Sequence, residues 1–181
     1  MRELALHLLD IAENSVAAGA QNICIQVTED TPADRLSIAV QDDGRGMDAE
    51  TVARVIDPFY TSRTTRKVGL GIPLLKAAAE ACNGFLKIES APGKGTRLEV
   101  EFQLSHIDRM PLGDLASTIL NLVIANPSIH WQLFYRMDQR EFHFDDAPIK
   151  QELQGVPLTE PPILAFLREY IESGLAYART A

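Results

Sequence analysis

The stretch QDDGRGM, residues Gln41–Met47, follows directly on the run RLSIAV, whose apolar residues alternate with others. Alternation of this kind predicts a half-buried strand, so Asp42 stands at the end of that strand. Aspartate and glycine are the residues of tight turns, and a simple turn is one interpretation. The other is a binding function, because the spacing Asp42, Gly44, Gly46 leaves a carboxylate beside backbone that a flat ligand can approach closely. The remainder of the chain has to distinguish the two.

A second pair of candidate residues lies near the N-terminus. Asp10 and Asn14 are four residues apart in a segment with helical periodicity, so they share one helix face. The amide oxygen of Asn14 suits a magnesium ion that phosphate oxygens already surround. The carboxylate of Asp10 could orient or deprotonate a water that attacks a phosphate. A solvated helix face is the alternative interpretation for both residues.

The apolar periodicity predicts the elements that position these residues. Helices are predicted from Arg2 to Ala18, from Asp48 to about Asp57, and over GIPLLKAAAEACNG; strands are predicted over NICIQVTED, RLSIAVQD, FLKIES and TRLEVEFQL. The polar and basic segment from Thr61 to Gly71 predicts a loop. The order predicts an α/β two-layer sandwich, in which helices cover one face of a mostly antiparallel mixed sheet.

This arrangement closes near Leu104, so we expect one domain over residues 1–104. Residues 105–181 predict a small α+β appendage of unknown role. It comprises the amphipathic helix LGDLASTILNLVIANP, a strand pair around the turn MDQR, and a terminal helix that begins with two prolines.

Composition limits the function classes. The formal net charge is −8 and no long run of Lys and Arg occurs, so we expect neither nucleic acid nor membrane as a partner. Cys24 and Cys82 lack metal-ligand spacing and are interpreted as buried free thiols in a reducing compartment. The N-terminal stretch lacks signal-peptide features, and no apolar run approaches membrane-spanning length. We expect a soluble, cytoplasmic protein.

Five motifs in a fixed order resemble one family. DIAENSVAAGA, DDGRGM, DPFYTSR, GLGI and GKGT resemble the N, G1, F, G2 and G3 boxes of the Bergerat-fold ATPases. This GHKL superfamily includes gyrases, Hsp90 chaperones, histidine kinases and mismatch-repair ATPases. The first motif is most similar to that of the mismatch-repair proteins. DPFYTSR and GLGI, with the alanine-rich helix that follows, look like histidine-kinase ATP-binding domains, here without the dimerisation and phosphoacceptor domain.

The resemblance implies ATP and Mg²⁺ as cofactors and assigns roles to residues. It implies that Asp42 accepts a hydrogen bond from the adenine amino group and that Asn14 binds Mg²⁺. Nucleotide-binding positions are also implied for Gly44, Gly46, Met47 and Thr96. Asp10 is implied as the catalytic residue, although gyrase-like and mismatch-repair members carry the longer Glu at the matching position.

The segment from Thr61 to Gly71 resembles the ATP lid of the family. Gly69, Leu70 and Gly71 precede a helix, whose free N–H groups and dipole suit phosphate oxygens. Three cations, Arg63, Arg66 and Lys67, offer positive charge there; Arg63 matches the basic residue that follows the F box in kinases. The sequence does not identify which of the three contacts phosphate.

The histidines give no further motif. Ser105–Leu112 has the His-x-x-Arg-x-Pro outline of a phosphoacceptor box, but it follows the ATP-binding region instead of preceding it, so we interpret His106 as a chance match. We interpret His7, His130 and His143 as surface or packing residues.

Three functional classes follow from these observations. The first is an ATP- and Mg²⁺-binding ATPase module with slow hydrolysis or nucleotide-dependent switching, which regulates a protein partner through residues 105–181. The second is a protein kinase, of serine in the anti-sigma manner or of histidine, in signal transduction. The third is a nucleotide-binding adaptor without catalysis. A homodimer stays open in each case.

Overall fold

The computed structural model describes residues 3–59 and 71–180. In chain order its elements are α1 Leu4–Ala17, β1 Asn22–Asp30, β2 Arg35–Asp42, α2 Ala49–Val55, α3 Gly71–Ala81, β3 Phe85–Ser90, β4 Thr96–Gln103, α4 Leu115–Ala125, β5 His130–Met137, β6 Arg140–Asp145, α5 Asp146–Leu153 and α6 Pro161–Arg179. Each element predicted from the sequence is present, with ends that differ by a few residues.

Helix α5 was not predicted, because the stretch DDAPIKQEL contains a proline and shows weak apolar periodicity. Asp145 caps the helix by accepting a hydrogen bond from the Ala147 N–H (2.9 Å). Pro148 is the third residue of the helix. The first four N–H groups of a helix have no partner within it, so a proline there costs no hydrogen bond.

The six strands form one mixed sheet in the order β3-β4-β2-β1-β5-β6. Every neighbouring pair is antiparallel except β1 and β5, which run parallel with Asn22 opposite His130. This confirms the predicted α/β sandwich with a mostly antiparallel mixed sheet.

The two faces of the sheet differ because side chains alternate along each strand. The helix-covered face is apolar and carries most of the core: Ile23, Ile25, Val27, Leu36, Ile38, Val40, Leu98, Val100, Phe102, Trp131, Leu133, Tyr135 and Phe144. The opposite face carries polar side chains such as Gln26, Ser37 and Glu99. Among the described residues, no helix covers that polar face, and we call it the open face.

The C-terminal region, residues 105–181, joins the same sheet through β5 and β6. It also completes α1, whose first residues have no side-chain cap. The N–H groups of Leu4 and Ala5 donate to the carbonyls of Pro111 (3.0 Å) and Leu112 (2.8 Å). The two regions therefore share backbone hydrogen bonds at two places; the domain boundary at residue 104 stays a prediction.

Within the described ranges, no helix has the length and apolarity needed to span a membrane. Cys82 is buried and Cys24 is half-buried, and both are free thiols. Burial raises the pKa of each thiol.

Candidate functional site

The carboxylate of Asp42 is held in a fixed orientation at the end of β2. Its Oδ2 accepts a hydrogen bond from the Ser15 hydroxyl on α1 (2.6 Å), and its Oδ1 accepts one from the Gly44 N–H (2.9 Å). A carboxylate has about four lone-pair sites, so two remain for a ligand. Asp42 projects from the helix-covered side of the sheet, as Ile23 opposite it does. The site thus has a fixed acceptor at the end of the apolar core.

Two glycines allow the loops around Asp42 to pack closely. Gly46 has φ +70°, and a Cβ built on it would lie 1.9 Å from the Ala91 carbonyl oxygen. Gly95 has φ +75°, and its Cβ would lie 1.9 Å from the Asp42 carbonyl oxygen. Any other residue would clash with backbone at either position. The glycine requirement at these positions comes from contact between two loops of the protein.

Gly44 is constrained in a different way. A Cβ there would lie 2.9 Å from the Cβ and the carbonyl oxygen of Ala18, at the end of α1. The loop after β2 therefore lies directly against the C-terminal end of α1, which also carries Ser15 and Asn14.

The hydroxyl of Ser90 connects two of the sequence-predicted positions, Met47 and Thr96. It accepts a hydrogen bond from the Met47 N–H (2.8 Å) and lies 2.8 Å from the Gly95 carbonyl oxygen, to which it donates. The Thr96 hydroxyl lies 2.9 Å from Ser90 Oγ. Ser90 has one hydroxyl proton and donates it to Gly95, so Thr96 is the donor to Ser90. The lone pairs of the Thr96 hydroxyl are therefore free. Thr96 also pairs with Asp42 across β4 and β2.

Asp10 and Asn14 lie on α1 one helical turn apart, as predicted. Asp10 is half-buried and Asn14 is exposed, and neither side chain is hydrogen-bonded within the described residues. A Cβ built on Gly71 would lie 3.4 Å from Asp10 Oδ2, so the start of α3 is beside this carboxylate. The structure thus places Gly71 beside Asp10, with Asn14 one helical turn further along α1. An amide oxygen, a carboxylate and a helix N-terminus suit Mg²⁺ with phosphate.

The other lid predictions concern Arg63, Arg66, Lys67, Gly69 and Leu70. These five residues lie outside the residues that the structure describes. Their roles stay predictions.

His7 is buried on α1, three residues before Asp10. Its Nδ1 has no hydrogen-bond partner among the described residues. Desolvation by burial, and to a smaller extent the positive charge of the N-terminus, lower its pKa, against the opposing effect of Asp10. A low pKa favours the neutral ring, which agrees with the predicted packing role.

His106 lies in a turn after β4, where its Nδ1 accepts a hydrogen bond from the Asp108 N–H (3.2 Å). No helix carries it. His143 is exposed on β6 and stacks on Phe134, with ring centroids 4.0 Å apart. Neither histidine is on the face of the sheet that carries Asp42.

A shallow depression of about 290 Å³ lies on the open face of the sheet. It is lined by polar and charged side chains, among them Arg35, Arg97 and Arg136. Asp42 projects to the opposite face, so this depression is separate from the site around Asp42.

Sequence reasoning missed Ser15 and Ser90, which orient Asp42 and Thr96. The signal for Ser15 was present, because it continues the buried positions Leu4, Leu8 and Ile11 of α1 as a polar residue. A polar side chain on a buried stripe needs a partner, and that partner is Asp42. No comparable signal marked Ser90, whose partners come from two separate loops.

The N-terminal region is similar in sequence to known proteins. A family model described as "Histidine kinase-, DNA gyrase B-, and HSP90-like ATPase" matches residues 1–106. The sensor protein kinase FleS of Pseudomonas aeruginosa is 40% identical over 89 residues, which is 49% of this chain and 22% of that protein. Sporulation kinase C of Bacillus subtilis is 30% identical over 96 residues, 53% of this chain and 22% of that protein. The match therefore spans only about a fifth of these relatives.

Solved structures extend the likeness to the C-terminal region. The Aquifex aeolicus MutL ATPase domain complexed with ADP matches with a TM-score of 0.51 at 15% identity, over 96% of this chain and 70% of that one. The N-terminal domain of a DNA repair protein matches with a TM-score of 0.56 at 18% identity, over 79% of this chain and 52% of that one. At these identities the likeness shows the fold alone. The family model matches more than half of this chain, and the chain therefore belongs to the histidine kinase-, DNA gyrase B- and HSP90-like ATPases.

Proposed function

We propose that this protein is an ATP- and Mg²⁺-binding module that hydrolyses ATP slowly and changes state with its nucleotide, and so regulates a protein partner. The observation that carries the proposal is the Asp42 carboxylate, which Ser15 and Gly44 hold in one orientation. A preorganised acceptor loses little entropy when it binds a ligand donor.

The chemistry of the acceptor selects adenine over guanine. Adenine presents an amino donor at C6, whereas guanine presents a carbonyl acceptor at the matching position. A carboxylate pairs with the amino group and repels the carbonyl. The free lone pairs of Thr96 add acceptors beside the same base.

The phosphates would lie at the other end of the site, between α1 and the start of α3. Asn14 and phosphate oxygens would hold Mg²⁺, which supplies charge neutralisation of the phosphates when it is bound. The N–H groups at the start of α3, beginning at Gly71, would donate to phosphate oxygens. Asp10 would accept the proton of the attacking water, or orient it. The side chain of Asp10 is one methylene shorter than that of a glutamate, so its carboxylate would lie further from the attacking water. This favours a low rate of hydrolysis.

Transfer of phosphate to a protein is the second candidate. It is favoured by the relatives of the N-terminal region, since FleS and sporulation kinase C are both named kinases. In that case the nucleotide site is the same and the acceptor is a side chain of another protein. The partner surface in either case would be the C-terminal region, which the family model does not cover.

Calorimetry with ATP and Mg²⁺ tests the binding proposal, with GTP as the control ligand. We expect ATP to bind and GTP to bind much more weakly. Asp42→Asn should weaken ATP binding by about 1–3 kcal/mol, because a charged acceptor is lost. The matched control is Glu99→Gln, which removes a carboxylate from the open face and should leave the affinity unchanged. Equal binding of GTP, or no effect of Asp42→Asn, would contradict the proposal.

Phosphate release separates hydrolysis from transfer. Incubation with γ-labelled ATP should release labelled phosphate to water if the protein is an ATPase. Label that appears instead on a co-purified protein would establish the kinase function.

A further inference from the structure

A chain of hydrogen bonds connects the C-terminal region to the loop that carries Asp42. His130 Nδ1, at the start of β5, lies 3.0 Å from Asn22 Oδ1. The Asn22 Nδ2 group donates to Asp43 Oδ2 (2.7 Å). Asp43 Oδ1 accepts from the N–H groups of Gln21 (2.7 Å) and Asn22 (2.9 Å). Asp43 directly follows Asp42, so these bonds fix the loop against the start of β1.

The protonation of His130 follows from these partners. Asp43 can only accept, so the amide nitrogen of Asn22 must face it and the amide oxygen must face His130. An oxygen acceptor requires a proton on His130 Nδ1. The other ring nitrogen, Nε2, lies 2.8 Å from Asp145 Oδ1 and needs a proton for the same reason. Both bonds form together only when the ring is an imidazolium ion.

Both carboxylates of this series of hydrogen bonds, those of Asp43 and Asp145, favour the ionised form. Burial raises the pKa of Asp43, but the hydrogen bonds from Asn22 and Gln21 outweigh burial and hold the pKa below its ordinary value. Burial likewise opposes ionisation of Asp145. Hydrogen bonds from the Ala147 N–H, His130 and Gln132 outweigh that effect, so the pKa of Asp145 is also lowered.

Two further charged residues lie near His130, Asp146 and Lys150. Asp146 follows Asp145 at the start of α5 and is buried, and its Oδ2 lies 2.5 Å from Lys150 Nζ. His130, Asp145 and Asp146 are close enough to surround a cation. Lys150 supplies positive charge to Asp146, and His130 is the candidate to supply it between Asp145 and Asp43.

We propose that His130 is a positioning residue of the nucleotide site, which as an imidazolium ion holds the Asp42 loop through Asn22 and Asp43. This inference rests on the proposed function. It assigns to the C-terminal region a role in base binding that the sequence motifs do not indicate, because β5 places His130 opposite Asn22.

The inference predicts a pH dependence with a definite sign. His130 contributes to holding the Asp42 loop while its ring carries both protons. Deprotonation removes this contribution, because the neutral ring has one N–H and can satisfy only one of its two acceptors. The Asp42 loop is then less well held, and the nucleotide binds more weakly.

Calorimetric titration of the full chain with ATP and Mg²⁺, at about pH 5.5 and about pH 8.5, tests this dependence over the range in which histidines titrate. The variant is His130→Gln, and the matched control is His143→Gln, which alters an exposed ring on the adjacent strand. The ratio of variant to parent affinity at each pH is the readout, because the nucleotide's own phosphates change charge in the same range. We expect His130→Gln to bind about fivefold more weakly than the parent at the lower pH and within about twofold at a pH where the parent's ring is neutral. His143→Gln should equal the parent at both.

Equal affinity of His130→Gln and the parent at the lower pH would overturn the inference, and so would a loss of the same size at a pH where the parent's ring is neutral, which indicates a structural effect without charge. Failure of the parent to bind ATP at all would instead contradict the proposed function.

The charge of the ring is measurable in the unaltered protein, which covers the case in which His130→Gln does not fold. The ¹⁵N shifts of the His130 ring should show protons on both nitrogens at about pH 5.5, because each nitrogen faces an acceptor. A neutral ring at the lower pH would overturn the inference.

Discussion

The N-terminal and C-terminal regions share one sheet, yet they differ in how they contribute to the candidate site. Residues 1–104 carry all five nucleotide-binding motifs, and the family model matches this part of the chain. Residues 105–181 carry ordinary apolar periodicity without a motif. The C-terminal region nevertheless supports α1 at its start and β1 along its length. Its contribution is therefore positional: it holds the elements on which the motif residues lie.

The difference shows that a motif indicates the residues that contact a ligand and not those that hold them. Asp42 is the last residue of β2, whereas its supports come from α1 and, through Asp43, from β1 and β5. These supports are spread over more than a hundred residues of sequence. Asn22 and His130 reach this loop because β1 pairs with both β2 and β5.

A cavity in the core beneath β5 tests whether the two regions unfold together. Trp131 on β5 is 2% exposed, and its Nε1 donates to the Asn126 carbonyl (3.2 Å). Trp131→Ala should lower the free energy of unfolding by about 3–5 kcal/mol, because a large buried side chain leaves a cavity. Circular dichroism is the measurement, since the variant lacks the only tryptophan.

The control for this variant is Phe134→Ala on the same strand, which alters a side chain of the open face and should cost far less. Hydrogen exchange should show that β2 and β5 lose protection together in Trp131→Ala. Retained protection of β2 would mean that the N-terminal region is stable on its own, and would favour the predicted boundary at residue 104.

A second prediction concerns catalysis in the N-terminal region. Asp10→Asn should reduce phosphate release by at least about a hundredfold, because proton transfer or orientation of the water is lost. ATP affinity should stay within about tenfold, since the interaction is made mainly in the transition state. Phosphate release and calorimetry measure the two quantities.

Glu13→Gln is the matched control for Asp10→Asn, because it changes an exposed acid on the same helix. It should leave phosphate release near the parent rate. If Asp10→Asn also releases phosphate at the parent rate, Asp10 is only a solvated acid of α1.

The smallest expected effect concerns the support of Asp42. Ser15→Ala removes the hydroxyl that donates to Asp42 Oδ2 and should weaken ATP binding by about 1 kcal/mol, or about fivefold. Calorimetry at constant pH measures it. Ser173→Ala, on the exposed side of α6, is the control. ATP affinity equal to that of the parent would show that Gly44 alone suffices to orient the carboxylate.

Most of the fold could be predicted because its signals are local. Alternation identified β1 and β2 to the residue, and helical periodicity identified α1 and α6. Helix α5 could not be found in this way, because Pro148 stands in its first turn and its apolar residues are few. The parallel pairing of β1 with β5 depends on contacts between distant segments, which no local pattern encodes.

Only part of the candidate site could be predicted from the sequence. Asp10, Asn14, Gly71, Asp42 and Thr96 were indicated by motifs, and the structure places them on adjoining elements, although their roles stay predictions. The supports were not indicated, apart from the buried position of Ser15. Asn22 and His130 are separated by more than a hundred residues, and only the register of β1 against β5 brings them into contact.

An experimental structure of the protein with a non-hydrolysable ATP analogue and Mg²⁺ would locate the nucleotide directly. We predict that the adenine amino group lies within hydrogen-bonding distance of Asp42, and that the phosphates lie between Asn14 and the start of α3. A nucleotide bound instead in the depression of the open face, against Arg35, Arg97 and Arg136, would contradict the account.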